Sequence, residues 1–300
     1  SQTKNTIRIF RYHTYMYVSL APLRQRMKCK YISIHKYMCV QIRVPLLTFL
    51  ALTQMWCTLV LLLLIPLIIT AAAAETSYYT NPVINANFPD PAVIRLPDGT
   101  FAGFATSSAD SHIQCATSKD LISWTMQPDA LPKLPNLACK DCHRSCAPDV
   151  KIFNGVYYMY FLAYHRDEGH KNCIFVAKSN VATGPYEPYD DPIVCDTHNS
   201  TAMDPRVFED KGGEVFLFFG SHGSPIVMGQ LDLTRTKLLS GTKIAAVFPD
   251  TSSYGRVVEA PWVYIDKAGA LTMFYSGSQC CGKNAHYSVM AARSGLGPRG

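Results

Sequence analysis

Aspartate and glutamate are absent from the first 74 residues, which carry nine lysines and arginines. The formal charge of +6 is therefore concentrated in that segment, and residues 75–300 hold 19 basic against 22 acidic side chains. A slightly acidic body gives no support to a nucleic-acid-binding surface. From Asn81 onward, sustained apolar spacing of the helical kind is missing too, which argues against a helical fold. A second Cys-x2-Cys pair is lacking as well. The cluster Cys139, Cys142 and Cys146 encloses His143 at the wrong spacing, so a zinc site is not the expectation. Charged residues make up only 17% of the chain and hydrophobic ones 48%, a balance that buries a large core and excludes disorder as the default.

The N-terminal segment has a clear pattern of its own. Residues 44–74 contain no charge, include the run Leu59-Val60-Leu61-Leu62-Leu63-Leu64-Ile65, and end in Ala71-Ala72-Ala73-Ala74. A basic flank, an apolar run and small residues at its end describe a cleavable secretory signal. The same stretch is long enough to serve as an uncleaved anchor, since about 20 apolar residues span a bilayer. In both cases the positive-inside bias places the rest of the chain outside the cell. The chain opens with Ser, and Met27, Met38 and Met55 are each candidate starts, so residues 1–50 need not belong to the natural product. The expected organisation is a basic segment over 1–43, a signal peptide or anchor over 44–74, and one domain over 75–300. Eight cysteines follow Ala74, an even number that suits disulfides in an oxidising compartment. Adjacent Cys280 and Cys281 are expected to take separate partners, because a vicinal ring is strained. Asn199-Ser200-Thr201 is a candidate glycosylation site.

An internal repeat decides the fold class. Four segments each place a proline near an acidic residue, then an apolar stretch, then a glycine turn that opens an aromatic-rich run: Pro91 to Gly99, Pro148 to Gly155, Pro205 to Gly213, Pro261 to Gly269. The prolines are 57, 57 and 56 residues apart. Within the units, strands are predicted over Ala92 to Leu96 and Phe101 to Thr106, Val150 to Phe153 and Val156 to Leu162, Val207-Phe208 and Val215 to Phe219, and Val263 to Ile265 and Leu271 to Tyr275. Asp98-Gly99 and Asn154-Gly155 are hairpin turn pairs. Third strands follow, as at Ile113 to Thr117 and Ile174 to Ala177. About four strands per repeat, set radially, make an all-β propeller rather than a sandwich, whose strands are evenly spaced without a repeated motif. A fifth unit would begin at about position 318, so the expectation is a ring with about four blades in this chain and the last incomplete.

First strands of propeller blades line the central channel, so acidic residues at their starts meet in one pocket. Unit one offers Asp90, unit three Asp204 and unit four Glu259, expected to share one register of the repeat, whereas unit two has Ala147 before Pro148 and Asp149 after it, offset from those three. Carboxylates that converge repel one another and shift each other's proton affinity, which is what an acid/base pair requires.

Phe88-Pro89-Asp90-Pro91, Ala147-Pro148-Asp149-Val150, Asp204-Pro205-Arg206-Val207-Phe208 and Val258-Glu259-Ala260-Pro261, in this order, resemble the motifs of family 43 glycoside hydrolases, the five-bladed arabinanase, arabinofuranosidase and β-xylosidase group. The likeness runs from about Asn81 to Gly300. It implies an inverting hydrolysis of arabinose- or xylose-containing polysaccharides or oligosaccharides, with Asp90 as general base, Glu259 as general acid and Asp204 as the residue that orients the acid and tunes its pKa. Inversion needs the base and acid about 6.5–9.5 Å apart, so that a water fits beneath the sugar. The resemblance makes Asp149 structural or near the substrate. Ser221, His222 and Trp262 are further candidate substrate-binding residues, the last through stacking on a sugar.

In two places the chain departs from the family pattern: Cys146 stands where a Trp is usual, and Ala260 where a Gly is common. No cofactor is required for the chemistry. A structural calcium ion cannot be assigned, because the His that members supply from a fifth blade has no counterpart here. Two other readings use the same residues: a non-catalytic carbohydrate-binding propeller, and a retaining fructan-type glycosidase, which would carry Arg-Asp-Pro where this chain has Asp-Pro-Arg.

Overall fold

A computed structural model describes residues 79–142, 145–167, 169–249, 257–267, 269–280, 283 and 285–295. The basic segment 1–43 and the apolar segment 44–74 lie outside the described residues. Among the described residues no helix is long and apolar enough to cross a membrane.

The four repeats fold as four antiparallel sheets, each a blade of a β-propeller. Blade one runs β1 (Ala92–Arg95), β2 (Phe101–Ala105), β3 (Gln114–Ser118) and β4 (Trp124–Gln127) in sequence order. Blade two has β5 (Ser145–Phe153), β6 (Val156–Tyr164), β7 (Asn172–Ser179) and β8 (Glu187–Pro188), with β9 (Val194–Cys195) also paired to β7. Blade three is β10 (Arg206–Glu209), β11 (Val215–Phe219), β12 (Ile226–Gln230) and β13 (Ile244–Val247). Blade four presents β14 (Val258–Ile265), β15 (Leu271–Gly277) and β16 (Ser288–Ser294). Turn chemistry sets these registers. Asn154 and Gly155 both take positive φ, 51° and 81°, the pair that a type I′ hairpin needs.

Side-chain parity along each strand then glues the blades together. On β11, Phe216 and Phe218 join the core shared with blade four, while Leu217 and Phe219 join the core shared with blade two. On β7, Phe175 faces blade one with Phe104 and Ile113, whereas Ile174 and Val176 turn the other way. A strand buried on both faces reads as a continuous apolar run, which is why VFLFF and the aromatic run of β6 show no polar alternation. Blade four breaks this rule on one side. Val263, Leu271 and Met273 pack on blade three, but Trp262, Tyr264, Phe274 and Val289 are exposed, the last at 76%.

The second strand-opening motif behaves differently from the first. In blades two and four the strand starts before the proline and continues past it through a register shift, between Cys146 and Asp149 and between Glu259 and Trp262. Proline has no N–H to give the ladder, so the pairing bulges around it. The strands predicted from Val150 and Val263 therefore begin earlier, at Ser145 and Val258.

Disulfides join Cys139 to Cys142 and Cys173 to Cys195, the second linking β7 to β9. Cys280 is disulfide-bonded as well, and Cys281 lies outside the described residues. Asn199 is exposed in the turn closed by the Thr197–Ser200 bridge, accessible to a glycosyltransferase.

Cys115 is fully buried on β3, and burial pushes its thiol up to about 12. Thiolate is the reactive form, so native protein at about pH 8 should resist iodoacetamide at this residue and react there once denatured. Peptide mapping checks this; fast labelling of Cys115 in the native state would contradict it.

Candidate active site

Each blade opens on a residue in the left-handed region that directly precedes a proline. Asp90, Ala147, Asp204 and Ala260 have φ of 51°, 47°, 50° and 53°. Such a conformation costs an L-residue about 1–2 kcal/mol. Aspartate tolerates it better than alanine, because its short carboxylate bonds locally. The family preference for glycine at the position of Ala260 has the same cause, as glycine alone enters this region without penalty.

This geometry corrects one expectation. The residue in register with Asp90 and Asp204 is Ala260, so Glu259 sits one position earlier than its repeat counterparts, not at the same one. Glu259 reaches the pocket because β14 begins before its proline.

Hydrogen bonds from the preceding blade fix these left-handed starts. Ala147 N–H donates to Thr106 Oγ1 at 2.9 Å, and that hydroxyl donates to Asp90 Oδ2 at 2.5 Å. Ala260 N–H donates to Asp204 Oδ2 at 3.1 Å. Between blades two and three, Asp149 Oδ2 accepts from Val207 N–H at 2.7 Å, and its Oδ1 from Arg206 Nη1 at 2.7 Å.

The four starts ring an open pocket of about 610 Å³, lined by Asp90, Asp149, Asp204, Glu259, Trp262 and Tyr287 among others. Asp90 is exposed at this pocket, Asp204 and Glu259 half-buried. Glu259 Oε1 accepts from the Tyr287 hydroxyl at 2.5 Å, and His222 Nδ1 stands 3.9 Å from Oε2. Trp262 lies under the Arg206 guanidinium, 5.0 Å from ring centre, and stacks on Tyr264 with the rings 7° apart.

A match to the family model described as glycosyl hydrolases family 43 covers residues 79–299, all four blades. The chain belongs to this family. Relatives include the extracellular endo-alpha-(1->5)-L-arabinanase 1 of Bacillus subtilis (strain 168), 25% identical over 233 residues that make up 75% of this chain and 70% of that protein. The probable arabinan endo-1,5-alpha-L-arabinosidase A of Aspergillus clavatus is 27% identical, over 65% of this chain and 60% of its own length. The fold is also that of an exo-1,5-alpha-L-arabinanase from a bovine ruminal metagenomic library, with a TM-score of 0.61 at 24% identity, covering 72% of this chain and 74% of that one.

In this family 43 chain the three expected carboxylates, Asp90, Asp204 and Glu259, do meet, and Trp262 joins them. Cys146, in the place of the usual Trp, lines the same pocket. Two of the substrate-binding expectations change. Asp149 is 3% exposed with both oxygens engaged by blade three, so of its two expected roles the structural one, a brace between blades at the pocket lining, is the one these contacts support. Ser221 is fully buried, its hydroxyl donating to the Ser224 carbonyl, and closes a turn. His222 is exposed and stands beside Glu259.

Thr106, Arg206 and Tyr287 escaped the sequence reading. A signal existed for Thr106: with Ala92 opposite Phe104 and Trp262 opposite Phe274, Thr106 and Ser276 occupy equivalent ladder positions, both hydroxyls. Tyr287 had none, since it follows the repeat's recognisable part.

Among the described residues, the group of three potential metal ligands brought within 4.8 Å is Cys139, Cys142 and His170. Two of these form one disulfide and offer no thiolate.

The Asp149–Arg206 pair is buried, with side chains 4% and 15% exposed. Asp149→Ala should therefore cost about 3–5 kcal/mol in urea unfolding, because it strands a buried guanidinium and the Val207 amide. Asp149→Asn, which keeps an acceptor for that amide, should cost less. A loss under about 1 kcal/mol for the alanine variant would contradict the brace.

Proposed function

We propose that this chain hydrolyses O-glycosidic bonds in arabinose- or xylose-containing plant polysaccharides or oligosaccharides, with inversion, using Asp90 as general base and Glu259 as general acid. The observation that carries the reading is the convergence of Asp90, Asp204 and Glu259, from three different blades, on one open pocket. Thr106 occupies Oδ2 of Asp90, which leaves Oδ1 to take the proton of an attacking water. As that water adds to the anomeric carbon, the glycosidic bond breaks and its electron pair goes to the leaving oxygen. Glu259 delivers the proton there. Asp204 acts on the acid through the backbone: it holds Ala260 N–H, the amide next to Glu259, and so fixes where the carboxyl points.

Half-exposed Trp262 supplies an apolar wall, and sugar faces stack on such rings. Arabinan is the polymer named for several relatives, which favours arabinose over xylose as the residue cleaved. Export of the protein accords with the basic and apolar N-terminal segments, with disulfides such as Cys139–Cys142 and Cys173–Cys195, and with the extracellular description of the Bacillus relative.

Asp90→Asn and Glu259→Gln should each lower turnover of debranched arabinan by about 10²- to 10⁴-fold while leaving the unfolding midpoint unchanged. Proton NMR of the first-formed product should show the inverted anomer. Retained configuration would remove this mechanism in favour of a covalent intermediate, full activity in both variants would place the base and acid on other residues, and no turnover by the unmodified protein would leave a carbohydrate-binding propeller.

A further inference from the structure

We propose that Tyr287 is the positioning residue of the general acid, holding Oε1 of Glu259 so that Oε2 carries the transferable proton, and stabilising the carboxylate as that proton leaves. The inference rests on the assignment of Glu259 as acid. Its basis is geometric. The Tyr287 hydroxyl donates to Oε1 at 2.5 Å, within the range of a short bond to a carboxylate. Tyr287 sits just before β16, and Ser276, the ladder partner of Glu259 on β15, is also bonded to the phenol. Two neighbouring strands thus hold one hydroxyl on one oxygen. Burial, and then the bond to Glu259, keep the phenol well above its ordinary range, so Tyr287 stays a donor throughout the working pH.

Other ionisable groups face Glu259 from every side of the pocket. His222 approaches Oε2 from the loop after β11. Asp204 lies before β10, Asp90 opens blade one, and Arg206 covers Trp262. None of them bonds Oε1, and the phenol carries no charge that would pull the proton off the resting acid. A hydrogen bond to the charged form strengthens as charge develops, so the benefit comes in the transition state and grows with the need for acid assistance.

The leaving group therefore reads the role. Tyr287→Phe keeps the ring and removes only the hydroxyl. On arabino-oligosaccharides, whose sugar leaving group needs protonation, kcat should fall about 10- to 100-fold, the scale of a lost hydrogen bond to a charged group. On 2,4-dinitrophenyl α-L-arabinofuranoside, whose leaving group departs without a proton, kcat should change by less than about threefold. The alkaline limb of kcat/KM should move upward by about one pH unit, because the carboxylate has lost a stabilising donor and keeps its proton longer. In a Glu259→Ala background, adding Tyr287→Phe should have no further effect on the aryl substrate.

Equal losses on both substrates, an unmoved alkaline limb, or a further loss in the Glu259→Ala background would overturn the proposal while leaving the function intact. A wild-type protein that cleaves neither substrate would instead overturn the assignment of function, and the proposal with it. The titration of the Glu259 carboxyl by carbon NMR gives a readout independent of turnover: it should move upward in Tyr287→Phe, and no movement would count against the role.

Discussion

The backbone amide near the start of each later blade is captured by a side chain of the blade before it, and the pocket exists because of that capture. Ala147 N–H goes to Thr106, Val207 N–H to Asp149, and Ala260 N–H to Asp204. Ala147 and Ala260 are left-handed residues directly before prolines, where the strand ladder is interrupted, and Val207 lies on the first strand of blade three, whose outer edge faces blade two. A buried amide without a partner costs about 1–3 kcal/mol. Side chains from the neighbouring blade meet that need, and in doing so they fix how one blade's start sits against the next.

The same contacts explain why the acids of this family 43 chain divide their labour as they do. Asp149 has a backbone amide on one oxygen and the Arg206 guanidinium on the other, both from blade three. Asp204 accepts from the amide of Ala260, the residue after Glu259, and so ties the start of blade four to blade three. Asp90 has one oxygen clamped by Thr106 and the other open to the pocket. Position in the relay, more than residue type, separates the surroundings of these three aspartates.

Packing between blades supplies the stiffness behind the relay. Alternate side chains of β6, β7 and β11 enter two different cores, so each blade is a wall shared by its neighbours. Close-packed interiors transmit small shifts poorly into empty space and well into neighbours, which holds the strand starts in a common frame. On the far face of blade four, Trp262, Tyr264, Phe274 and Val289 stay exposed among the described residues. Trp262 on that face borders the site directly, so what covers it affects the pocket.

The proline spacing near 57 residues, the Asp-Gly and Asn-Gly turns and the apolar runs determined by themselves that the chain is a β-propeller with acids at blade starts. These signals are local: turn pairs need particular φ values, and two-faced burial needs unbroken apolar strands. The three carboxylates of the pocket were legible for the same reason. The sequence also places Glu259 two residues before its proline, where Asp90 and Asp204 stand one before theirs; tertiary structure decided that Ala260 shares their left-handed conformation and that β14 starts at Val258, three residues before Pro261, with a register shift around that proline. It alone buried Ser221 and brought in Tyr287, whose partner Glu259 is 28 residues away, and it joined Thr106, whose position the repeat had half marked, to Ala147 across 41 residues. Hydrogen-bond partners across blades leave no periodic trace in a sequence, and only the closed approach of the sheets reveals them.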